Sequence, residues 1–363
     1  MIVKSMSELI GNTPALRIGF QNGAVELFIK LEIFNPCGSM KDRMALSMLN
    51  AVEKQSGFYE GLDIVESSSG NTATALSMLC SERGHKFIAV MDGHAAPDKI
   101  NAVRALGGGV ILVGDEQGEL LTAAREDLAH KLADENESTY CTTQHENPAN
   151  PAGYQGLADE IVSEIGADIV CVIGAVGTGG SLCGTARALS EMIPALRVIG
   201  VEPEGSIIFG GPAHKYLQSG TGTPDGASVG LVVDYAIIDE GRKVSDADAF
   251  ATCRVLAKRY GLMVGGSAGG AIYEAINFCL TAPVGSKVVT FACDAGTKYM
   301  GTIFNDAWLH QHVSDIDARI ERFENLLLEM SDYTLQQQSA RALRSHIAHS
   351  NRPTSAHVFD ETL

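Results

Sequence analysis

An α/β architecture with largely parallel sheets is what this 363-residue sequence predicts. Three observations carry the prediction. Short apolar runs alternate with longer helical stretches along most of the chain, which implies crossover connections between parallel strands. Several of those runs end in Gly- and Ser-rich turns that open directly into helices. The length is enough for two domains, each with its own core.

The elements follow in order. Ile10-Gly11-Asn12-Thr13-Pro14 reads as a tight turn before a strand, and Val25 to Leu31 as a strand. Lys41 opens a helix running towards Gln55, with Gly57 and Gly61 after it. Asp63 to Glu66 is strand-like, Ala73 to Arg83 helical with Gly84 as its stop, and Lys86 to Met91 a strand. A helix from Ala96-Pro97 to Leu106, a strand from Val110 to Val113 and a helix from Leu120 to Glu135 complete the first half. Cys141 to Pro151 reads as a polar loop crossing between lobes. Then come a helix (Tyr154 to Ile165), a strand (Asp168 to Ile173), a helix to Met192 and a strand (Arg197 to Glu202). Residues 203–230 are rich in Gly and Pro and long for a loop, which points to function. Helices from Ala247 to Tyr260 and from Gly265 onward lead to a last strand, Lys287 to Ala292. Beyond Val313 the pattern is helical, with Ile316, Ile320, Phe323 and Leu327 on one face, and from Asn351 it reads as a tail.

Composition narrows the function classes. Apolar residues make up 45% and charged residues 20%, ordinary for a soluble domain. A net charge of -17 speaks against binding nucleic acid or an anionic membrane through a broad basic surface. No apolar run is long enough to span a bilayer, and Met1 to Glu8 carries no secretory core. Eight cysteines lie scattered, without C-x-x-C pairs or zinc spacing, so no metal site is expected. The expected setting is a reducing cytoplasm.

Three stretches carry chemistry. In Asn35-Pro36-Cys37-Gly38-Ser39-Met40-Lys41-Asp42-Arg43, a lysine sits where a loop turns into a helix. The positive helix end helps keep its amine neutral, and a neutral amine attacks carbonyls. The plain alternative is a solvated charge cluster. Gly177-Thr178-Gly179-Gly180-Ser181 joins a strand to a helix and aims N–H and hydroxyl donors at an anion. It lacks the Gly-Lys-Ser/Thr ending of a nucleotide loop and the dinucleotide glycine pattern, so a small phosphate ester suits it better; the alternative is a turn chosen for close packing. Ser68-Ser69-Gly70-Asn71-Thr72 has the same placement and suits a carboxylate, or serves as a helix cap. Ser267, before Ala268-Gly269-Gly270-Ala271, reads by itself as an N-cap.

Together, in this order and spacing, these stretches and Asp294-x-Gly296-x-Lys298-Tyr299 resemble the cysteine synthase and cystathionine β-synthase family, whose members use pyridoxal phosphate (PLP). Ile10 to Pro14, Asn147-Pro148-Ala149-Asn150-Pro151 and His214-Lys215 fit the same pattern, and the resemblance covers roughly residues 5–310. It implies fold type II: two three-layer α/β lobes with the cofactor between them. One lobe would comprise 1–12 and 35–147, with 85–135 moving, and the other 13–34 and 148–310, followed by a helical extension over 311–363. Homodimers are common in the family.

The resemblance also implies roles. Lys41 would hold the cofactor as an internal aldimine and transfer the α-proton. Gly177, Thr178, Gly179, Gly180 and Ser181 would cradle the phosphate, Asn71 would bond the ring hydroxyl and Ser267 would face the ring nitrogen. Ser68, Ser69, Gly70, Thr72 and Gln144 would hold the substrate carboxylate. A neutral hydroxyl at Ser267 favours loss of a β-substituent, so the implied reaction is β-replacement on serine, O-acetylserine or O-phosphoserine through an aminoacrylate. Sulfide, homocysteine or an amine such as glutamate would be the nucleophile; a serine-deaminating lyase and a non-catalytic relative are the other readings. Two departures stand out: Cys37 replaces a small residue, and His145 follows Gln144 where an aromatic is common. No Arg lies in residues 205–230, which argues mildly against a phosphoserine clamp there.

Overall fold

A computed structural model describes residues 2–21, 23–54, 61–93, 95–114 and 122–330. Within the described residues ten strands form two sheets. The larger contains β1 (Ala15–Phe20), β2 (Val25–Lys30), β7 (Ile169–Ala175), β8 (Arg197–Pro203), β9 (Glu240–Val244) and β10 (Lys287–Phe291), in the order β1-β2-β10-β7-β8-β9. The smaller contains β3 (Asp63–Ser67), β4 (Lys86–Asp92), β5 (Gly109–Val113) and β6 (Thr139–Cys141), in the order β5-β4-β3-β6. Among these ten strands the β1–β2 hairpin is antiparallel and the other pairs run parallel, as the alternation of runs and helices requires.

Both sheets are covered on both faces, which is why their strands read as near-continuous apolar runs. In the larger sheet Leu27, Ile173, Ile199 and Val288 pack on one side against Ile272 and Ile276 of the helix Gly266–Thr281. Val172, Val198, Val289 and Phe291 pack on the other against Leu157, Ile161 and Leu182. The smaller sheet presents Ile64, Phe87 and Met91 to Leu49, Leu76 and Leu79, and Val65 and Val90 to Ala129.

Several elements escaped the sequence reading, among them the helix Asp306–His312 and three that show why. β6 has three residues, too few for a pattern. β9 reads Glu-Gly-Arg-Lys-Val and lies at the sheet edge, so it needs no apolar run. The crossing segment holds a short helix, Ala149–Ala152, inside a stretch whose prolines suggest only loop. The helix from Lys41 is described to Glu53 and a turn at Lys54, so its expected end at Gln55 and the tail from Asn351 lie outside the described residues.

The apolar stripe beyond Val313 does pack on the body. In the helix Ile316–Met330, Ile316, Phe323 and Leu327 are buried in the core of the larger sheet, and Ile320 packs against it half-buried. The Phe323 ring lies 5.7 Å from that of Tyr273, and Arg319 pairs with Asp248 at 2.8 Å. Truncating a buried Phe removes apolar contact and leaves a cavity. Phe323→Ala should therefore cost about 3 kcal/mol of unfolding free energy by denaturant titration; an unchanged midpoint would mean that the helix does not hold to the body.

Candidate active site

The candidate residues converge because the helices that carry them start at the carboxyl ends of parallel strands, where open α/β sheets bind ligands. The segment after β10 organises the meeting. Ser39 and Asp294 form an antiparallel bridge, and the Met40 amide donates to the Cys293 carbonyl at 2.9 Å. This fixes the start of the helix Lys41–Glu53. The Gly265 amide donates to the Asp294 carbonyl at 3.2 Å, which brings in Ser267 two residues later. Gly265 has no space for a side chain, since a Cβ there would lie 2.2 Å from Asp294 Oδ1.

Asp294 is buried, and its Oδ2 accepts from Asn71 Nδ2 at 2.8 Å and from the Tyr299 hydroxyl at 2.6 Å. Lys298 Nζ donates to Asn71 Oδ1 at 2.6 Å and to the Cys37 carbonyl at 2.7 Å. Lys41, Asn71 and Ser267 are thus tied to one short segment. Asp294 and Lys298 stood in a recognised motif, yet the sequence reading gave them no role. Their signal was the motif itself, but only the contacts show what it holds. Lys215, part of the His214-Lys215 pair that fits the family pattern, is exposed.

The Lys41 amine is held below the ordinary ammonium range by burial, against opposing pulls from Cys293 and Asp294. Burial and Asp294 push the Cys293 thiol up to about 12, with Lys41 and the Ser267 hydroxyl opposing. Cys37 is likewise pushed to about 12, by burial and then Asp42, which suits packing better than reactivity. Its sulfur lies 3.5 Å from Met78 Sδ. The Lys-Asp-Arg cluster is not solvated. Arg43 is buried and forks onto Glu32 at 2.7 and 2.9 Å and onto Glu160 at 2.8 and 2.9 Å.

Ser68 to Thr72 and Gln144 come together at the ends of β3 and β6. The Thr72 hydroxyl donates to Gln144 Oε1 at 2.8 Å, and Gln144 Nε2 donates to the Ser67 carbonyl at 3.0 Å. Ser69 Oγ donates to Asp92 at 2.8 Å and accepts from Arg125 at 3.1 Å. A ligand carboxylate would therefore meet Thr72 and Ser69 already engaged, with the first-turn N–H groups of the helix Asn71–Arg83 as ready donors. His145 turns towards Glu126, its Nε2 3.8 Å from that carboxylate; burial and the charges of Lys41 and Arg125 lower its pKa to about 4.

The loop from Gly177 to Ser181 follows β7 and opens the helix Gly180–Met192. Gly179 adopts a left-handed φ of 90°, and a Cβ there would lie 2.7 Å from the Val233 backbone, so only glycine fits. The amides of this turn and the Thr178 and Ser181 hydroxyls lie at a helix N-terminus, where they could cradle an anion. This donor set, a half-buried amine at Lys41 and a neutral hydroxyl at Ser267 suit a phosphorylated pyridine aldehyde.

A family profile described as "Pyridoxal-phosphate dependent enzyme" matches residues 6–294. The chain belongs to the PLP-dependent enzymes of fold type II, within the group of cysteine synthases and cystathionine β-synthases. A Sinorhizobium fredii protein named for the cysteine synthases is 48% identical over 311 residues, covering 85% of this chain and 93% of its own. An N-(2-amino-2-carboxyethyl)-L-glutamate synthase of Cupriavidus metallidurans is 34% identical, covering 85% of this chain and 92% of its own. The crystal structure of the O-acetylserine dependent cystathionine β-synthase of Helicobacter pylori superposes with a TM-score of 0.77 at 34% identity, covering 83% of this chain and 98% of that one.

Next to Gln144 lies a buried acid. Glu66 Oε2 accepts from the Gln144 amide at 3.1 Å and from the Thr142 hydroxyl. Burial raises its pKa from 4.5 to about 7. The native state thus holds a proton that the unfolded state has released, so stability falls as pH rises from 4.5 to about 7 and levels off above. Glu66→Gln, which keeps the accepting oxygen, should flatten that part of the stability profile in urea titrations across pH. An unchanged slope would mean that Glu66 is ionised throughout.

Proposed function

We propose that this protein catalyses β-replacement on serine or an activated serine, with O-acetylserine or O-phosphoserine as candidates. The supporting observation is the convergence of Lys41, Asn71 and Ser267 on the Asp294 segment, in a chain of the PLP-dependent family. When bound, the cofactor supplies the electron sink that lets the β-substituent leave. The protein's own residues do the rest. Lys41 carries the cofactor and, once freed, moves the α-proton. Gly177 to Ser181 hold the phosphate, and Asn71 orients the ring through its hydroxyl. Ser267 offers the ring nitrogen a neutral partner, which disfavours long-lived carbanion chemistry. Ser68, Ser69, Gly70, Thr72 and Gln144 receive the substrate carboxylate. The lobes divide as 1–12 with 35–147 and 13–34 with 148–310; the protein acts as a homodimer in the cytoplasm.

Closure of 85–135 over the bound amino acid has a physical route, since Asp92 and Arg125 both bond Ser69 in the carboxylate loop. Thr72→Ala should weaken amino-acid binding at least about tenfold more than PLP retention, read from absorbance titrations and dialysis. Equal losses would mean that the loop is misassigned.

A second reading, an amine nucleophile giving a 2,3-diaminopropionate precursor, is favoured by the Cupriavidus relative and by the polar His145. The deciding experiment offers each serine derivative with sulfide, homocysteine or glutamate and identifies products by mass. Pyruvate and ammonia alone, whatever the nucleophile, would make the protein a deaminating lyase. Lys41→Ala should keep the phosphate contacts, lose the label that borohydride otherwise fixes on Lys41, and lose turnover by at least about 100-fold. A peptide map with the label on another lysine would refute the site.

A further inference from the structure

We propose that Asn150 is a positioning residue that couples the two anion-binding loops, so that a phosphate at Gly177–Ser181 and a carboxylate at Gln144–Thr72 each strengthen the other's binding. This rests on the site reading above and adds to it a residue outside both loops. Asn150 is fully buried in the short helix Ala149–Ala152. Its Nδ2 lies 2.7 Å from the Gln144 carbonyl oxygen and 3.2 Å from Thr178 Oγ1. A carbonyl only accepts, so the amide nitrogen must face it, and its second hydrogen goes to Thr178. The Thr178 oxygen also accepts from the Gly180 amide at 3.4 Å. With its oxygen accepting, Thr178 must turn its own hydrogen away from Asn150, leaving it available to a ligand anion. An anion that draws this hydrogen makes the oxygen a better acceptor and tightens the bond to Asn150.

On the other side, Asn150 fixes the backbone of Gln144, whose side chain bonds Ser67 and Thr72. The packing leaves no slack to absorb a shift. A Cβ on Gly180 would lie 2.0 Å from Asn150 Oδ1, and one on Gly184 would lie 2.1 Å from the Pro151 carbonyl oxygen. Asn150 Oδ1 is buried without a donor, so the side chain's hydrogen bonds are the two its nitrogen makes. Displacement of one loop is therefore passed to the other.

The test uses the PLP-loaded full chain and acetate as a carboxylate probe, with chloride matching ionic strength. Saturating acetate should slow PLP loss to a scavenger about fivefold or more in the unmodified protein. In Asn150→Asp, which keeps the shape and removes both donors, the ratio of rates with and without acetate should fall to near one while PLP still binds. A merely structural role would speed PLP loss with and without acetate equally; a preserved ratio overturns the proposal. If Asn150→Asp does not fold, Asn150→Ala is read the same way. The unmodified protein is decisive by itself: acetate that shifts its absorbance without slowing PLP loss overturns the coupling alone, whereas acetate that leaves its absorbance unchanged overturns the carboxylate-site reading and the coupling with it.

Discussion

One buried residue, held through both backbone and side chain, anchors the arrangement on which the site depends. Asp294 reaches the starts of three helices through its backbone and side chain, those that begin at Lys41, Asn71 and Gly266. A charge buried at this depth is tolerated only when hydrogen-bonded, and Asn71 and Tyr299 supply the donors. The same charge opposes the downward push of burial on the Lys41 amine. The same segment thus bears on both the position and the protonation of the central lysine, with burial the larger influence on the second. Because the three helices come from distant parts of the chain, the site exists only when the whole fold has closed around this group.

A second buried network holds the opposite side of the Lys41 helix. Arg43 is clamped between Glu32 and Glu160, Glu32 also accepts from Thr13, and Lys30 pairs with Glu160 at 3.2 Å. Such networks add little net stability compared with apolar packing, but removing one member leaves an uncompensated charge. The geometry they specify is therefore hard to change piecemeal. Here it ties the first turn of the helix that carries Lys41 to Glu32 and Glu160.

Local pattern carried most of the architecture. The apolar runs at Val25, Asp63, Lys86, Asp168, Arg197 and Lys287 are strands to within a residue or two, since buried parallel strands must be apolar on both faces. The stripe Ile316, Ile320, Phe323, Leu327 is a helix face for a similarly local reason. Where an element is not buried on both sides, as in β9, or is too short to repeat, as in β6 and the helix Ala149–Ala152, the pattern falls silent. Solvent or neighbouring segments then decide the conformation.

The site divides along the same line. The sequence by itself determined the residue types and the turns that place them at helix starts: Lys41 after its loop, the glycines and hydroxyls of 177–181, and the run from Ser68 to Thr72. Those are short-range facts, fixed by which residues tolerate a turn or cap a helix. Only the tertiary structure decided which hydroxyls are already engaged, that Arg43 is buried, that Asp294 and Lys298 hold Asn71, and that Asn150 bridges the two loops. A hydrogen bond between residues more than 200 positions apart, such as Asn71 to Asp294, leaves no local trace, because its partners are chosen by the packing of whole sheets and helices.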